Sequence, residues 1–153
     1  KDKIKSLSMI IDSLKTFENN NFQILPQWLP KIAWYFGGAD LQNLFCDEDD
    51  INFLVKNKVL ICLDISHLIL SANYANKPWF DWYKRLIKIN KHVHFSDAQG
   101  IDGEGVEFGK GELNNIEFIL KNNNIKVIET WQGHLNNGEK FFQTIRKLEK
   151  DYG

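Results

Sequence analysis

The chain has 153 residues, 43% hydrophobic and 13% aromatic, with a formal net charge of -1 and no stripe of clustered Lys and Arg. That length suits one domain spanning 1–153 on the usual scale of about 100–200 residues, and the balanced charge argues against nucleic acid as a partner. No apolar run reaches the roughly 20 residues of a membrane span and no signal peptide is visible, so a cytoplasmic protein without a membrane partner is expected.

From Lys3 to Phe17, Ile4, Leu7, Ile10, Ile11 and Leu14 recur at helical spacing, and Glu18-Asn19-Asn20-Asn21 breaks the helix. Phe22 to Leu25 reads as a short strand stopped by Pro26 and Pro30. Ile32 to Gly38 is an aromatic, glycine-containing loop, expected to fold over a site or a partner because so apolar a segment is seldom left in water. Asp47-Glu48-Asp49-Asp50 marks a helix start, carboxylates at the positive end of the dipole, and Ile51, Phe53, Leu54 and Val55 continue it. Val59 to Leu63 is almost uninterrupted apolar, as in a parallel strand covered on both faces, and ends at Asp64-Ile65-Ser66-His67.

Leu68 to Ile89 is helical with an interruption from Asn76 to Pro78. Lys91-His92-Val93-His94-Phe95-Ser96-Asp97 is the next strand, with His92 and His94 on one side and Val93 and Phe95 on the other. A glycine-rich loop, Gln99 to Gly105, ends it. Asn114 to Leu120 is helical, Asn122 to Asn124 a turn, Ile125 to Ile128 a strand ending at Glu129, and Glu139 to Tyr152 a closing amphipathic helix. Cys46 and Cys62 show no metal-ligand spacing and read as reduced thiols. The chain begins at Lys1 rather than Met, so a longer parent protein is expected.

Strand and helix alternate four times, the signature of a parallel sheet with helical cover. Each strand leads into a polar or ionisable residue, Gln27, Asp64, His94 and Glu129 in turn. The carboxyl ends of parallel strands lie on one face, so these separated positions converge without a local motif. Buried carboxylates and histidines are costly unless they are partnered, which favours a site over packing alone.

Ile61-Cys62-Leu63-Asp64-Ile65-Ser66-His67 resembles the "CLDxxH" strand end of the xylose-isomerase-like TIM barrels. That superfamily holds sugar and sugar-phosphate isomerases and epimerases and nucleases of the endonuclease IV type. His92 to Asp97 resembles its "HxHxxD" strand, Glu107 to Leu113 its "xxGxGxL" lead-in to the next helix, and Val127-Ile128-Glu129 its last strand. Leu29-Pro30 with Trp34-Tyr35-Phe36-Gly37-Gly38 resembles a bacterial isomerase/epimerase-like branch. The resemblance covers the chain from about Phe22 onward and implies the last four of eight (β/α) units. A half barrel of that kind is completed by a missing N-terminal half or by a second copy in a homodimer.

The resemblance further implies one divalent metal, Mn²⁺ or Mg²⁺ with Zn²⁺ less suited, held by Asp64, His94 and Glu129. Gln27 stands where the family has its first glutamate; it offers a carbonyl oxygen but no base. The implied function is a metal-dependent sugar or sugar-phosphate isomerase/epimerase in which Glu129 takes the proton beside a metal-polarised carbonyl or hydroxyl. His67 either meets the substrate or a further metal, or caps the helix start. Asp97 either orients His94 or a substrate hydroxyl, or caps the glycine loop. His134 is a further ligand or substrate contact, and Trp34, Tyr35 and Trp131 form a sugar-facing wall or pack within the barrel. The alternatives are an endonuclease IV-like phosphoesterase, for which four histidines and no basic stripe are poor equipment, and a degenerate interaction module, for which Gln27 speaks.

Overall fold

A computed structural model describes residues 2–18, 22–35, 37–114 and 116–153, with the side chain of Tyr35 outside the described part. The Asn19-Asn20-Asn21 helix break, Phe36 and the expected role of Tyr35 in a sugar-facing wall therefore lie outside the described residues.

Helix α1 (Asp2–Phe17) buries Leu7 and Ile11 one turn apart, the stripe its periodicity predicts. Lys3 on its first turn ion-pairs with Asp47 and with Asp50, the latter at 3.0 Å. That pair docks α1 on α2 (Glu48–Lys56). Asp47 caps α2 by accepting from the backbone of Asp49 and Asp50, and Asp50 reciprocates by accepting from the Asp47 N–H.

The central sheet is parallel with strand order β3 (Ile61–Asp64), β4 (Asn90–Phe95), β7 (Ile125–Ile128). Cys62 pairs with His92, Asp64 with His94, and His94 with Val127. Side chains alternate, so this register sorts them cleanly between the faces. Ile61, Leu63, Val93 and Phe95 are buried with α2, α3 (Ile65–Tyr74) and α4 (Trp79–Leu86) in one apolar core. Cys62, Asp64, His92, His94, Ile125, Val127 and Glu129 share the opposite face. There Ile125 is 70% and Val127 39% exposed, so this second face lacks the helical cover of the first.

The expected fourth strand at Phe22 to Leu25 does not form; residues 23–26 have no regular structure. The chain meets β3 instead through one parallel bridge, Gln27 to Cys62, with Pro26 O accepting from Cys62 N at 3.0 Å and Trp28 N donating to Cys62 O at 2.9 Å. Pro26 and Pro30 have no N–H to extend a ladder, which limits the pairing to a single rung. Gln27 still occupies the sheet position next to β3.

Two expected loops are hairpins. Ile32–Tyr35 and Gly38–Leu41 pair antiparallel as β1 and β2, and Asp97–Gln99 and Gly103–Val106 as β5 and β6. Gly37, Gly38 and Gly100 adopt positive φ at the two turns, which glycine takes without a Cβ clash. The helix expected from Asn114 is the single turn α5 (Glu117–Leu120). The last helix, α6 (Leu135–Tyr152), is broken by left-handed φ at Asn136, Asn137 and Gly138, so regular helix begins at Glu139 as its pattern predicts. Among the described residues the sheet is open: the fold is mixed α/β with a parallel core sheet and two small antiparallel ones, and no barrel closes. Among the described residues no helix is long and apolar enough to cross a membrane.

Candidate metal centre

Three neighbouring strand ends build the site. Asp64 ends β3 and is the N-cap of α3, its Oδ1 accepting from His67 N at 3.0 Å. Strand β3 feeds straight into α3 without a loop, which fixes the carboxylate at the sheet's carboxyl edge. His94 lies opposite Asp64 on β4. Glu129 follows β7, its N–H donating to Phe95 O at 3.0 Å, so the ladder runs one residue further and directs Glu129 to the same face.

One donor atom each from Asp64, His94 and Glu129 lies within 4.8 Å of the others. His94 Nδ1 is 2.8 Å from Glu129 Oε2 and 3.9 Å from Asp64 Oδ2. The nitrogen is buried and makes no aligned hydrogen bond despite that proximity. A buried imidazole nitrogen between two carboxylates, left without a hydrogen-bond partner, is the disposition of a ligand. Burial pushes the Asp64 carboxyl above the usual carboxylate range, and the Glu129 charge adds to the rise while His67 and His94 oppose it. The donor set, two carboxylates and one imidazole, fits a hard divalent cation.

Gln27 joins the cluster through its amide N–H and not through the carbonyl oxygen expected to meet a metal. Its amide Nε2 donates to Asp64 Oδ2 at 3.2 Å, so it solvates the ligand carboxylate. His67 is also beside Asp64, with Nδ1 3.5 Å from Oδ2. Both its ring nitrogens already have partners in the chain: Nδ1 with Trp28 O at 2.9 Å and Nε2 with Glu104 Oε1 at 2.9 Å. Burial works against charge on this ring, but the Glu104 hydrogen bond, the Asp64 and Glu104 charges and Trp28 O outweigh it and raise the pKa to about 9. His67 is thus a cation at neutral pH, held between two acids.

Asp97 is fully buried, and its two oxygens accept from the N–H groups of Ala98, Gly109, Gly111 and Leu113 at 2.8–3.0 Å. Of its two readings, these hydrogen bonds make the glycine-loop cap. A Cβ on Gly111 would stand 2.5 Å from Asp97 Oδ1, so the anchor also requires that glycine. Trp34 is exposed on β1, and Trp131 and His134 are exposed on the turn between Glu129 and α6; neither tryptophan is buried in the packing that its alternative reading proposed.

Sequence reasoning missed Glu104, because nothing in a glycine loop announces which helix its acid will meet. It also missed Cys62, which the register sets beside His92 on the ligand face, so that donor atoms of Cys62, His92 and His94 lie within 4.8 Å of one another. The alternation from Asp64 back to Cys62 is the signal that places both on one face. Burial first, then the charges of Asp64 and Glu129, push the Cys62 thiol up to about 12. Compared with known proteins, the chain has no match among family models, curated proteins or solved structures.

Proposed function

We propose that this chain is a metal-dependent enzyme of the sugar or sugar-phosphate isomerase/epimerase class, on (β/α) units of the TIM-barrel type. The observation that carries the reading is the convergence of Asp64, His94 and Glu129 donor atoms within 4.8 Å at the exits of three adjacent parallel strands. Mn²⁺ or Mg²⁺ suits these ligands better than Zn²⁺. Bound there, the cation would polarise a substrate carbonyl or hydroxyl and acidify the neighbouring C–H.

The chain's own groups do the rest. Glu129 is the most accessible of the three acids and bases, positioned to take a proton from substrate carbon and return it to the adjacent carbon. Gln27 cannot share that work, since an amide is no base at neutral pH, so the chemistry reads as one-base. The cationic His67 steadies Asp64, and it reaches a substrate oxygen only by exchanging its Glu104 partner. Exposed Trp131, two residues beyond Glu129, offers an apolar wall to a sugar face.

Calorimetric titration of the metal-free protein with Mn²⁺ and Mg²⁺ tests the site, and solvent deuterium uptake by a panel of ketoses and ketose phosphates tests the chemistry. We expect binding that Asp64→Ala removes, and deuterium uptake that Glu129→Gln removes. Absence of metal binding by the wild-type chain, or an Asp64→Ala titration identical to it, ends the proposal. The degenerate-module reading draws on the Gln27–Asp64 hydrogen bond and predicts metal binding without deuterium uptake from any of those substrates.

A further inference from the structure

The ligand face of the sheet carries a second group of donors, different in kind from the first. Cys62 on β3 and His92 on β4 are register partners, and His94 follows His92 on the same face. Donor atoms of the three lie within 4.8 Å of one another. The rings of His92 and His94 meet edge to face with centroids 5.0 Å apart. Cys62 is buried, and the Nε2 of His92 is buried with no hydrogen-bond partner. A polar nitrogen stranded in this way is expensive in an apolar interior. The other sulfur-containing group among the described residues, Cys46 with Asp47 and Asp50, is already committed: its carboxylates cap α2 and ion-pair with Lys3.

We propose that Cys62, His92 and His94 form a second metal site, selective for a thiophilic divalent cation of the zinc class. Sulfur and two imidazole nitrogens are soft and borderline donors that suit Zn²⁺, in contrast to the oxygen-rich set at Asp64 and Glu129. Three protein ligands leave a tetrahedral ion one position for water. On binding, the Cys62 S–H bond gives way to an S–metal bond and the proton leaves to solvent, while both histidines bind as neutral rings. The site sits one alternation further back along the strands than the Asp64–His94–Glu129 set. His94 belongs to both sets, so the two ions compete for it.

Co²⁺ added to the metal-free protein reports the site, because only a cobalt–thiolate bond produces an intense near-ultraviolet charge-transfer absorption. We expect that band in the wild-type chain, its disappearance when Zn²⁺ is added, its loss in Cys62→Ser and in His92→Gln, and its retention in Asp64→Asn and Cys46→Ser. Circular dichroism of each variant identifies any that fails to fold, and His92→Gln, which leaves the thiol in place, stands in for Cys62→Ser in that event. A wild-type chain that binds Co²⁺ without the band, or a band that survives Cys62→Ser, overturns the proposal. Loss of the band in Asp64→Asn also overturns it, by showing one mixed site instead of two. None of these outcomes depends on turnover, so the isomerase reading stands or falls separately.

Discussion

Asp97 accepts N–H groups from Ala98, Gly109, Gly111 and Leu113, so its buried charge is met on every side. Replacing it with alanine strands those donors, and at about 1–3 kcal/mol for each buried unsatisfied group, partly recovered by relaxation, Asp97→Ala should cost about 3 kcal/mol or more in urea unfolding. Asp97→Asn keeps one accepting oxygen and should lose less. Asp64 is the contrary case, a carboxylate whose burial makes its charge costly and raises its pKa. Asp64→Asn preserves the cap on α3 and removes that charge, so the metal-free variant should melt at or above the wild-type temperature while losing the rise in Tm that Mn²⁺ produces. A lower melting point without metal would show that the His67 ion pair outweighs the desolvation. The His67–Glu104 pair sets a pH window for the metal-free protein. The raised His67 pKa contributes stability in full below its ordinary 6.5, lost as pH climbs through about 9. Glu104, lowered by the His67 hydrogen bond, contributes above its ordinary 4.5 and loses that contribution as pH falls. Stability from this pair should therefore be greatest between those two values, and Glu104→Gln should flatten the alkaline limb of a plot of unfolding midpoint against pH.

Strands β3 and β4 each turn one face to the core and the other to the candidate metal centre. Leu63 is fully buried between Cys62 and Asp64. Leu63→Ala should cost about 2–5 kcal/mol by core truncation and, by loosening β3, weaken Mn²⁺ binding without altering any ligand; chemical denaturation and calorimetry read the two effects. The pattern of Val59 to Leu63 and of His92 to Phe95 foretold these strands because apolar runs and alternation are local properties of the chain. The hairpins β1–β2 and β5–β6 were not foretold, for an antiparallel pair of three or four residues is defined by its partner strand rather than by its own composition. Phe22 to Leu25 failed in the opposite direction: an extended segment became a single bridge because prolines flank it.

Across the described residues, the sheet has helices on one face and the candidate metal-binding side chains on the other, with Ile125 and Val127 left in water among polar groups. Its strand order places β3 and β7 on either side of β4, and beyond β3 lies, among the described residues, the single Gln27 bridge. A three-stranded parallel sheet is too narrow to close into a barrel, and open parallel edges attract partners. The association expected from that incompleteness should appear as a dimer in sedimentation velocity at tens of micromolar, weakened by Ile125→Lys. A monodisperse monomer would refute it.

By itself, the sequence determined the α/β alternation and the gathering of Asp64, His94 and Glu129, because parallel strands exit on one side whatever lies between them. Tertiary structure alone decided that Gln27 donates to Asp64, that Glu104 holds His67, that Asp97 anchors the glycine loop, and that Cys62 stands beside His92. The physical reason is reach. Periodicity and strand-end position follow from neighbours a few residues apart, whereas a hydrogen bond across 37 residues, as from His67 to Glu104, depends on how whole elements dock.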